Sequence, residues 1–323
     1  MAKATIRKPK NKAKDGSWSE IRDGMKIDWD QTIIMADGTV LRADVFRPTK
    51  PGKYPVILTM GPYGKGLAWQ DELYATTWDL FTGHHPDAVE GSTNKYQNWE
   101  TVDPEQWVPD GYACVRIDSR GAGRSQGYMD PWSPKETDDF VECIEWAGTR
   151  NWSNGKVGLN GISYYGMNQW WVAERQPKHL AAMCAWEGAN DYYREFSRHG
   201  GILCTFIKSW YEMQVQPVQY GYGKQGYRSK VHGDLVAGPP NLSAKELKKN
   251  RTDMDRDIAS REMMDDWYLA REPDFKKIKV PLLSPASWGG QGLHPRGNYE
   301  GFYQAGSKEK WLEAHGLEHW TEF

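Results

Sequence analysis

Short continuous apolar runs alternate with segments of helical spacing through the middle of the chain, and this alternation constrains the fold more than any other feature. The runs are YPVILTM from Tyr54, YACVRI from Tyr112, VGLN from Val157 and HLAAMCAWEG from His179. A helical pattern, Ser133 to Arg150, follows the second run, and another extends to about Gln176 after the third. Strands buried on both faces and joined through helices form a mainly parallel sheet. The sequence therefore predicts an α/β protein.

The segments around this alternation predict an antiparallel opening and an inserted cap. Residues 25–48 alternate apolar and polar side chains on either side of Ala36-Asp37-Gly38, which is typical of a β-hairpin. Residues 191–274 are polar, charged and rich in tyrosine, and they predict a helical cap. We expect a disordered basic tail at 1–20, a core formed by 21–190 and 275–323, and a surface excursion at 67–105.

Charge and hydropathy exclude several classes of partner. The 323 residues include 41 basic and 43 acidic side chains, a formal net charge of −2, so neither nucleic acid nor a membrane surface is an expected partner. The segment MAKATIRKPKNKAK has no apolar core of the kind a secretory signal needs. No run of about 18 apolar residues occurs. We expect a cytoplasmic protein that acts on a small molecule.

Cysteine and histidine spacing predicts neither a disulfide framework nor a metal site. Four cysteines lie far apart without a CxxC pair, so we expect them to be reduced and buried: Cys114, Cys143, Cys184 and Cys204. The adjacent pair His84 and His85 is more simply explained as incidental than as a zinc ligand set. No cofactor and no metal are expected.

A serine at a predicted strand-to-helix corner is the main chemical signal. In GLNGISYYGMNQWW, Ser163 follows the third apolar run, and Gly161 supplies a small neighbour. Such a tight corner exposes a serine hydroxyl at the carboxyl edge of a sheet. The first N–H groups of the new helix also point at the place where an oxyanion would develop, and the donor here would be the Tyr164 N–H. Because Tyr165 stands where a G-x-S-x-G pattern would have its last glycine, a helix-capping role for the serine is the alternative.

Three motifs together resemble one enzyme family. KVGLNGISYYGMNQWW, GPYGKG from Gly61 and DSRGAGRSQG from Asp118 are similar to motifs of the cocaine-esterase-like (CocE/NonD) α/β-hydrolases, relatives of X-Pro dipeptidyl-peptidases and α-amino-acid ester hydrolases. The resemblance runs from about Met25 to the end of the chain and implies the α/β-hydrolase fold. It also implies that the Tyr63 hydroxyl binds the oxyanion, with a buried structural tyrosine as the alternative. The Asp118 loop is expected to be scaffold.

The same resemblance implies a catalytic histidine shortly after the last strand. His319 in WLEAHGLEHW matches best, and His315 is second. The family's aspartate, in a W-Y-D turn, has no counterpart in SWGGQGLHPRG. Since a histidine base needs a partner for its other nitrogen, we expect Glu187, at the end of the preceding strand, to serve, with Asp191 and Glu300 as further candidates.

These residues predict a serine hydrolase that cleaves a carboxylic ester or amide through an acyl-enzyme. Four aromatic residues are expected to shape the acyl pocket: Trp186, Tyr192, Tyr193 and Trp210. An aminopeptidase or α-amino-acid ester hydrolase, with Glu187, Asp191 and Glu195 binding a free amine, is the second hypothesis. A catalytically impaired hydrolase fold acting as an interaction module is the third.

The resemblance has a further implication for partners. Relatives continue past the matching histidine into a helix and a jelly-roll-like domain, which are absent from this sequence. This difference leaves three alternatives: a shortened product, one part of a split enzyme whose partner chain covers the corresponding surface, or a dimer in which a second copy covers it.

Overall fold

The computed structural model describes residues 11–290 and 292–320, so residues 1–10 of the predicted tail lie outside it. The fold opens with three antiparallel strands: β1 (Trp18–Arg22), β2 (Met25–Ile34) and β3 (Val40–Pro48). Gly38 has a φ of 83° in the predicted Asp-Gly turn between β2 and β3. β1 begins inside the segment predicted as tail, because Trp18 is buried and stacks on Trp29 of β2.

Eight further strands follow in chain order: β4 (Tyr54–Gly61), β5 (Ala113–Asp118), β6 (Ser153–Ile162), β7 (Leu180–Trp186), β8 (Arg198–His199), β9 (Ile202–Leu203), β10 (Leu282–Ser287) and β11 (Lys310–His315). The main sheet has the order β1-β2-β3-β5-β4-β6-β7-β10-β11, and its strands run parallel from β5 onwards. The predicted mainly parallel sheet with an antiparallel opening is confirmed. The parallel strands bring their carboxyl ends to one edge.

Nine α-helices lie among the described residues: α1 (Ala75–His84), α2 (Pro104–Trp107), α3 (Pro134–Gly148), α4 (Tyr164–Glu174), α5 (Phe206–Trp210), α6 (Ala244–Lys249), α7 (Met254–Ala259), α8 (Asp266–Leu269) and α9 (Pro295–Gln304). The predicted N-cap of α3 is present, since Ser133 Oγ accepts a hydrogen bond from Glu136 N at 3.2 Å. Such a cap stabilises a helix by about 1 kcal/mol. The core between helices and sheet is formed mainly by aliphatic strand residues.

The segment predicted as a helical cap contains the short helices α5 to α8, the β8–β9 hairpin and two π-helical turns. An aromatic cluster connects this segment to the carboxyl edge of the sheet. Its buried members include Tyr63, Trp132, Tyr164, Tyr192 and Trp210. Residues 191–274 therefore lie above the strand ends.

The prediction that residues 67–105 run over the surface holds for α1 and the turn after it, where Phe81 is the one buried side chain, but it is wrong for both ends of the segment. Trp69, Tyr74, Trp99 and Glu100 are all buried. The aromatic side chains of this segment follow no helical period and pack on one another, with the Trp99 ring 5.5 Å from Trp69 and 4.7 Å from Tyr74. Both ends of the segment therefore belong to the aromatic cluster beside the strand ends.

The four cysteines are unpaired, with Cys114 and Cys143 buried and Cys184 and Cys204 half-buried, so the expectation of full burial holds for two of them. Within residues 11–290 and 292–320, none of the helices has the length and apolar character required to span a membrane.

Candidate active site

Ser163 lies at a sharp turn between β6 and α4. Its φ of 56° and ψ of −115° place a non-glycine residue in a strained conformation, which persists only where the surroundings enforce it. A Cβ on Gly161 would collide with the Tyr165 side chain, and one on Gly166 would collide with the Trp186 carbonyl oxygen. The turn therefore requires small residues at positions 161 and 166. Gly166 stands one position later than the last glycine of the G-x-S-x-G pattern.

The hydroxyl of Ser163 contacts an imidazole that the sequence analysis overlooked. Among the described residues, its one hydrogen-bond partner is His294, with 3.4 Å between Oγ and Nε2. His294 is buried, and its Nδ1 has no partner in the described part of the chain. The His294 ring stacks on His319, with centroids 5.0 Å apart. His319, the predicted base, thus contacts His294, which in turn contacts Ser163.

His319 lies between two buried carboxyl groups. Its Nδ1 is 3.8 Å from Glu187 Oε2, and its Nε2 is 3.4 Å from Glu100 Oε1. The predicted pairing of Glu187 with a late histidine is therefore present in the structure, although the Nδ1 contact is long. His315, at the end of β11, lies 3.5 Å from the other oxygen of Glu187. Both histidines considered from the sequence thus lie near the same acid.

The Glu187 carboxylate occupies the space beside a glycine at the position of the missing aspartate. If Trp288-Gly289-Gly290 is set against the W-Y-D turn, Gly290 matches its aspartate. A Cβ built on Gly290 would lie 2.9 Å from Glu187 Oε2. Ser287 N donates a hydrogen bond of 2.5 Å to Glu187 Oε1 and fixes the group. The acid therefore reaches the same place from β7 instead of from the turn after β10.

Burial governs the electrostatics of these groups. Burial raises the pKa of Glu187 to about 7, with the nearby His319 opposing the shift. Burial also lowers the pKa of His294 well below its usual value, because the protein interior disfavours the charged imidazolium. His294 is therefore a neutral imidazole at neutral pH.

Of the two predicted oxyanion donors, Tyr164 directly follows Ser163, and Tyr63 packs against the Tyr164 ring with centroids 5.8 Å apart. Tyr63 is buried, and burial raises its pKa well above the ordinary value, so the phenol keeps its proton. Its oxygen accepts a hydrogen bond of 3.0 Å from Trp210 Nε1, which leaves the hydroxyl hydrogen available to a ligand. Tyr164 N is the first N–H of α4, where a helix has no internal acceptor.

The four predicted pocket residues do not share one cavity. Tyr192 and Trp210 are buried in the aromatic cluster around Tyr164. Tyr193 lines a cavity of about 420 Å³ that also borders Gly292, near His294. Trp186 lines a different cavity, of about 100 Å³, beside Asn160. Trp186 thus lies apart from the other three.

The other acidic candidates pair with arginine. Asp191 lies 2.7 Å from Arg194 and 3.4 Å from Arg296. Glu195 lies 2.8 Å from Arg296, and Glu300 lies 3.9 Å from the same guanidinium. These contacts are ion pairs of the cap and α9, and Glu187 is the predicted acid that lies beside a histidine.

Two residues of the site were missed from the sequence. His294 follows a glycine-rich turn after β10. Because catalytic side chains often lie just after the carboxyl end of a strand, a histidine at this position could have been predicted as a site residue. Glu100 lies in the segment misassigned to the surface. Its backbone oxygen accepts a hydrogen bond from Ile162 N, directly before the serine, and no local pattern indicates this contact.

A strained serine at a strand-to-helix turn, a histidine after the last strand and a covered parallel sheet are together the arrangement of serine hydrolases with the α/β-hydrolase fold. A sequence model of the X-Pro dipeptidyl-peptidase (S15) family matches residues 37–321. The chain belongs to this family, and the resemblance inferred from its three motifs is confirmed.

Individual relatives include esterases and peptidases. The chain is 31% identical over 180 residues to cocaine esterase of Rhodococcus sp. (strain MB1 Bresler), covering 55% of this chain and 27% of that protein. It is 32% identical over 180 residues to a putative Xaa-Pro dipeptidyl-peptidase of Bacillus cereus, covering 49% and 29%. The chain thus spans less than a third of the length of these curated relatives.

A solved structure of similar fold is a CocE/NonD family hydrolase from Staphylococcus aureus. The two share 34% sequence identity with a TM-score of 0.76, and the match covers all of this chain and 53% of that one. An α-amino-acid ester hydrolase matches with a TM-score of 0.57 at 17% identity, over 91% of this chain and 48% of the other, which is a likeness of fold alone.

Proposed function

We propose that this chain carries the catalytic centre of a serine hydrolase that cleaves carboxylic esters through an acyl-enzyme. The observation that carries the proposal is the strained Ser163, with its hydroxyl against one imidazole and a second imidazole stacked behind it. A serine hydroxyl needs both a base and a position clear of its surroundings to act as a nucleophile. The strained turn and the two imidazoles at the carboxyl edge of the sheet support both requirements.

In the proposed reaction, His319 Nε2 takes the proton of Ser163 while Oγ forms a bond to the ester carbonyl carbon. Tyr63 and the Tyr164 N–H donate to the resulting oxyanion. His319 then gives the proton to the departing alkoxide, the C–O bond to the alcohol breaks, and the acyl-enzyme remains. Water repeats the cycle and releases the acid.

His319 suits the role of base better than His294. A base needs an acceptor on its second nitrogen, and His319 has Glu187 there, whereas the Nδ1 of His294 has no partner among the described residues. His294 instead holds the resting hydroxyl as a neutral imidazole. The proposed reaction therefore requires the Ser163 hydroxyl to leave His294 and bond to His319, which stacks on His294 with ring centroids 5.0 Å apart, when a substrate binds.

Fluorophosphonate labelling tests this proposal. The probe is expected to add one covalent phosphonyl group, and peptide mapping is expected to place it on Ser163. Incubation with a short-chain p-nitrophenyl ester is expected to produce a mass increase equal to the acyl group on the intact protein. Together these measurements report the nucleophile and the covalent intermediate.

Denatured protein and protein preincubated with an unlabelled serine-reactive inhibitor provide the controls. A folded protein that neither probe modifies would contradict the proposal and support the interaction module. A label on another serine would contradict the assignment of Ser163.

The contacts of the acids favour ester over free-amine substrates. An aminopeptidase needs carboxylates free to bind an ammonium group, but Asp191 and Glu195 both pair with Arg296. We therefore expect N-blocked and N-free amino-acid esters to be cleaved at rates within about tenfold of each other. Steady-state rates on matched ester pairs measure this, and a preference for the free amine above about a hundredfold would favour the aminopeptidase.

The expectation of a covering partner remains a prediction. Its structural basis is the free edge of the sheet, where Trp311 and Leu312 of β11 are exposed.

A further inference from the structure

Glu100 is a buried acid that the mechanism above does not use. It is 3% exposed, and its Oε1 contacts His319 Nε2 at 3.4 Å and Trp320 Nε1 at 3.3 Å. Its Oε2 is buried and has no hydrogen-bond partner in the described part of the chain. Within residues 11–290 and 292–320, no lysine or arginine forms an ion pair with Glu100. His319 is therefore the group that, once protonated, would pair with Glu100.

Backbone strain gives an independent reason to connect Glu100 with the site. Its φ is 58°, compared with 56° for Ser163 and 47° for Glu187. Left-handed conformations of non-glycine residues cost free energy and cluster at functional sites. Three such residues converge on one pair of stacked histidines. The strain at Glu100 also directs its carbonyl oxygen to Ile162 N, which connects it to the turn that holds the serine.

We propose that Glu100 is a positioning residue that stabilises the protonated Nε2 edge of His319, so that the base works between two acids. This role rests on the proposed hydrolase function. The proton of Ser163 arrives on Nε2, and a carboxylate 3.4 Å from that nitrogen stabilises the imidazolium as it forms. Glu187 holds the opposite edge through Nδ1. Glu100 thus stabilises the imidazolium that forms when His319 accepts the proton of Ser163.

The groups around Glu100 and His319 influence the protonation of both residues. Burial raises the pKa of Glu100, and His319 opposes that shift. Two buried carboxyl groups flank one imidazole, so their titrations are coupled. The other titratable groups that face Glu100 or His319 are His294, Tyr63, Tyr74 and Tyr165, all buried, with His315 on the far side of Glu187.

The test is Glu100→Gln, which keeps the shape and removes the charge. We expect kcat for a p-nitrophenyl ester to fall about ten- to hundredfold with little change in KM. We also expect the acid limb of the kcat/KM profile to move to lower pH by about one unit, because the imidazolium loses a neighbouring anion. Glu100→Asp, which restores the charge on a shorter stem, is expected to move the limb back towards that of the parent.

Glu145→Gln is the matched control, because Glu145 lies 3.7 Å from His179 at the amino edge of the sheet, away from Ser163. It is expected to leave the profile unchanged. A Glu100→Gln variant that folds and loses activity uniformly over the pH range, with the limb in place, would overturn the proposal. So would a limb that moves to higher pH.

A readout independent of turnover separates this proposal from the hydrolase proposal. The histidine resonances of the protein, with His319 assigned from a His319→Gln variant, report the pH at which that ring gains its proton. Glu100→Gln is expected to lower that pH even if no serine reacts with a fluorophosphonate. An unchanged His319 titration would reject the role of Glu100 alone.

Discussion

Ser163→Ala is expected to lower the turnover of a p-nitrophenyl ester by about 10⁴- to 10⁶-fold. Alanine has no hydroxyl to form the acyl-enzyme, and the remaining oxyanion donors act only on direct attack by water. Serine and alanine are strained to the same extent at a φ of 56°, so the variant is expected to fold like the parent. Measurements of kcat/KM and of the thermal midpoint test both statements.

Ser209→Ala provides a matched control for this variant. Ser209 is exposed on α5, and among the described residues its hydroxyl bonds only to the Phe206 carbonyl oxygen, at 3.0 Å. Loss of the Ser209 hydroxyl is expected to leave kcat/KM within about twofold of the parent, as is usual for surface positions. If instead the Ser163→Ala protein retains activity within tenfold of the parent, Ser163 is not the nucleophile.

The sheet was predictable because its signals are local. Continuous apolar runs such as Val56 to Met60 reflect burial on both faces, and the Asp-Gly turn at Gly38 fixes the antiparallel hairpin. Strand direction then followed from the helices between the runs. Since parallel strands end at one edge, Glu187 at the end of β7 was expected near a histidine that follows β11, and the two lie 3.8 Å apart.

The environment of the base was not predictable, because it depends on contacts between distant segments. Glu100 reaches His319 across more than two hundred residues of sequence, from a segment whose aromatic residues show no period. His294 was not among the expected site residues, since a lone histidine carries no pattern of its own. The positive φ of Glu100 is likewise enforced by packing around it and has no signature in the surrounding residues.

Glu187→Gln is expected to lower kcat about 10³- to 10⁴-fold while leaving the protein folded. Glu187 offers one oxygen to Ser287 N at 2.5 Å and the other to His319 Nδ1. The glutamine side chain has a single acceptor oxygen, and the Ser287 N–H would bond to it. The amide NH₂ then faces Nδ1, which must become an acceptor, so the proton of neutral His319 moves to Nε2 and blocks that nitrogen as a base.

We also expect a carboxylate introduced at position 290 to replace that of Glu187 in part. Glu187 has a φ of 47°, which glycine adopts without strain, and the φ of Gly290 is not in the positive range. In Glu187→Gly/Gly290→Asp the carboxylate enters from the turn after β10. Because the Cβ at position 290 remains 2.9 Å from Pro295 Cδ, we expect a partial rescue, about tenfold or more above Glu187→Gly alone.

Gly290→Asp in the parent background is the opposing control for this transfer. There the new Cβ would meet Glu187 Oε2 at 2.9 Å and place two carboxylates in one buried space. Activity and thermal midpoint are both expected to fall. If the double variant is no more active than Glu187→Gly, or if Glu187→Gln turns over at a near-normal rate, Glu187 does not orient the base, and Glu100 is left as the acid that contacts His319.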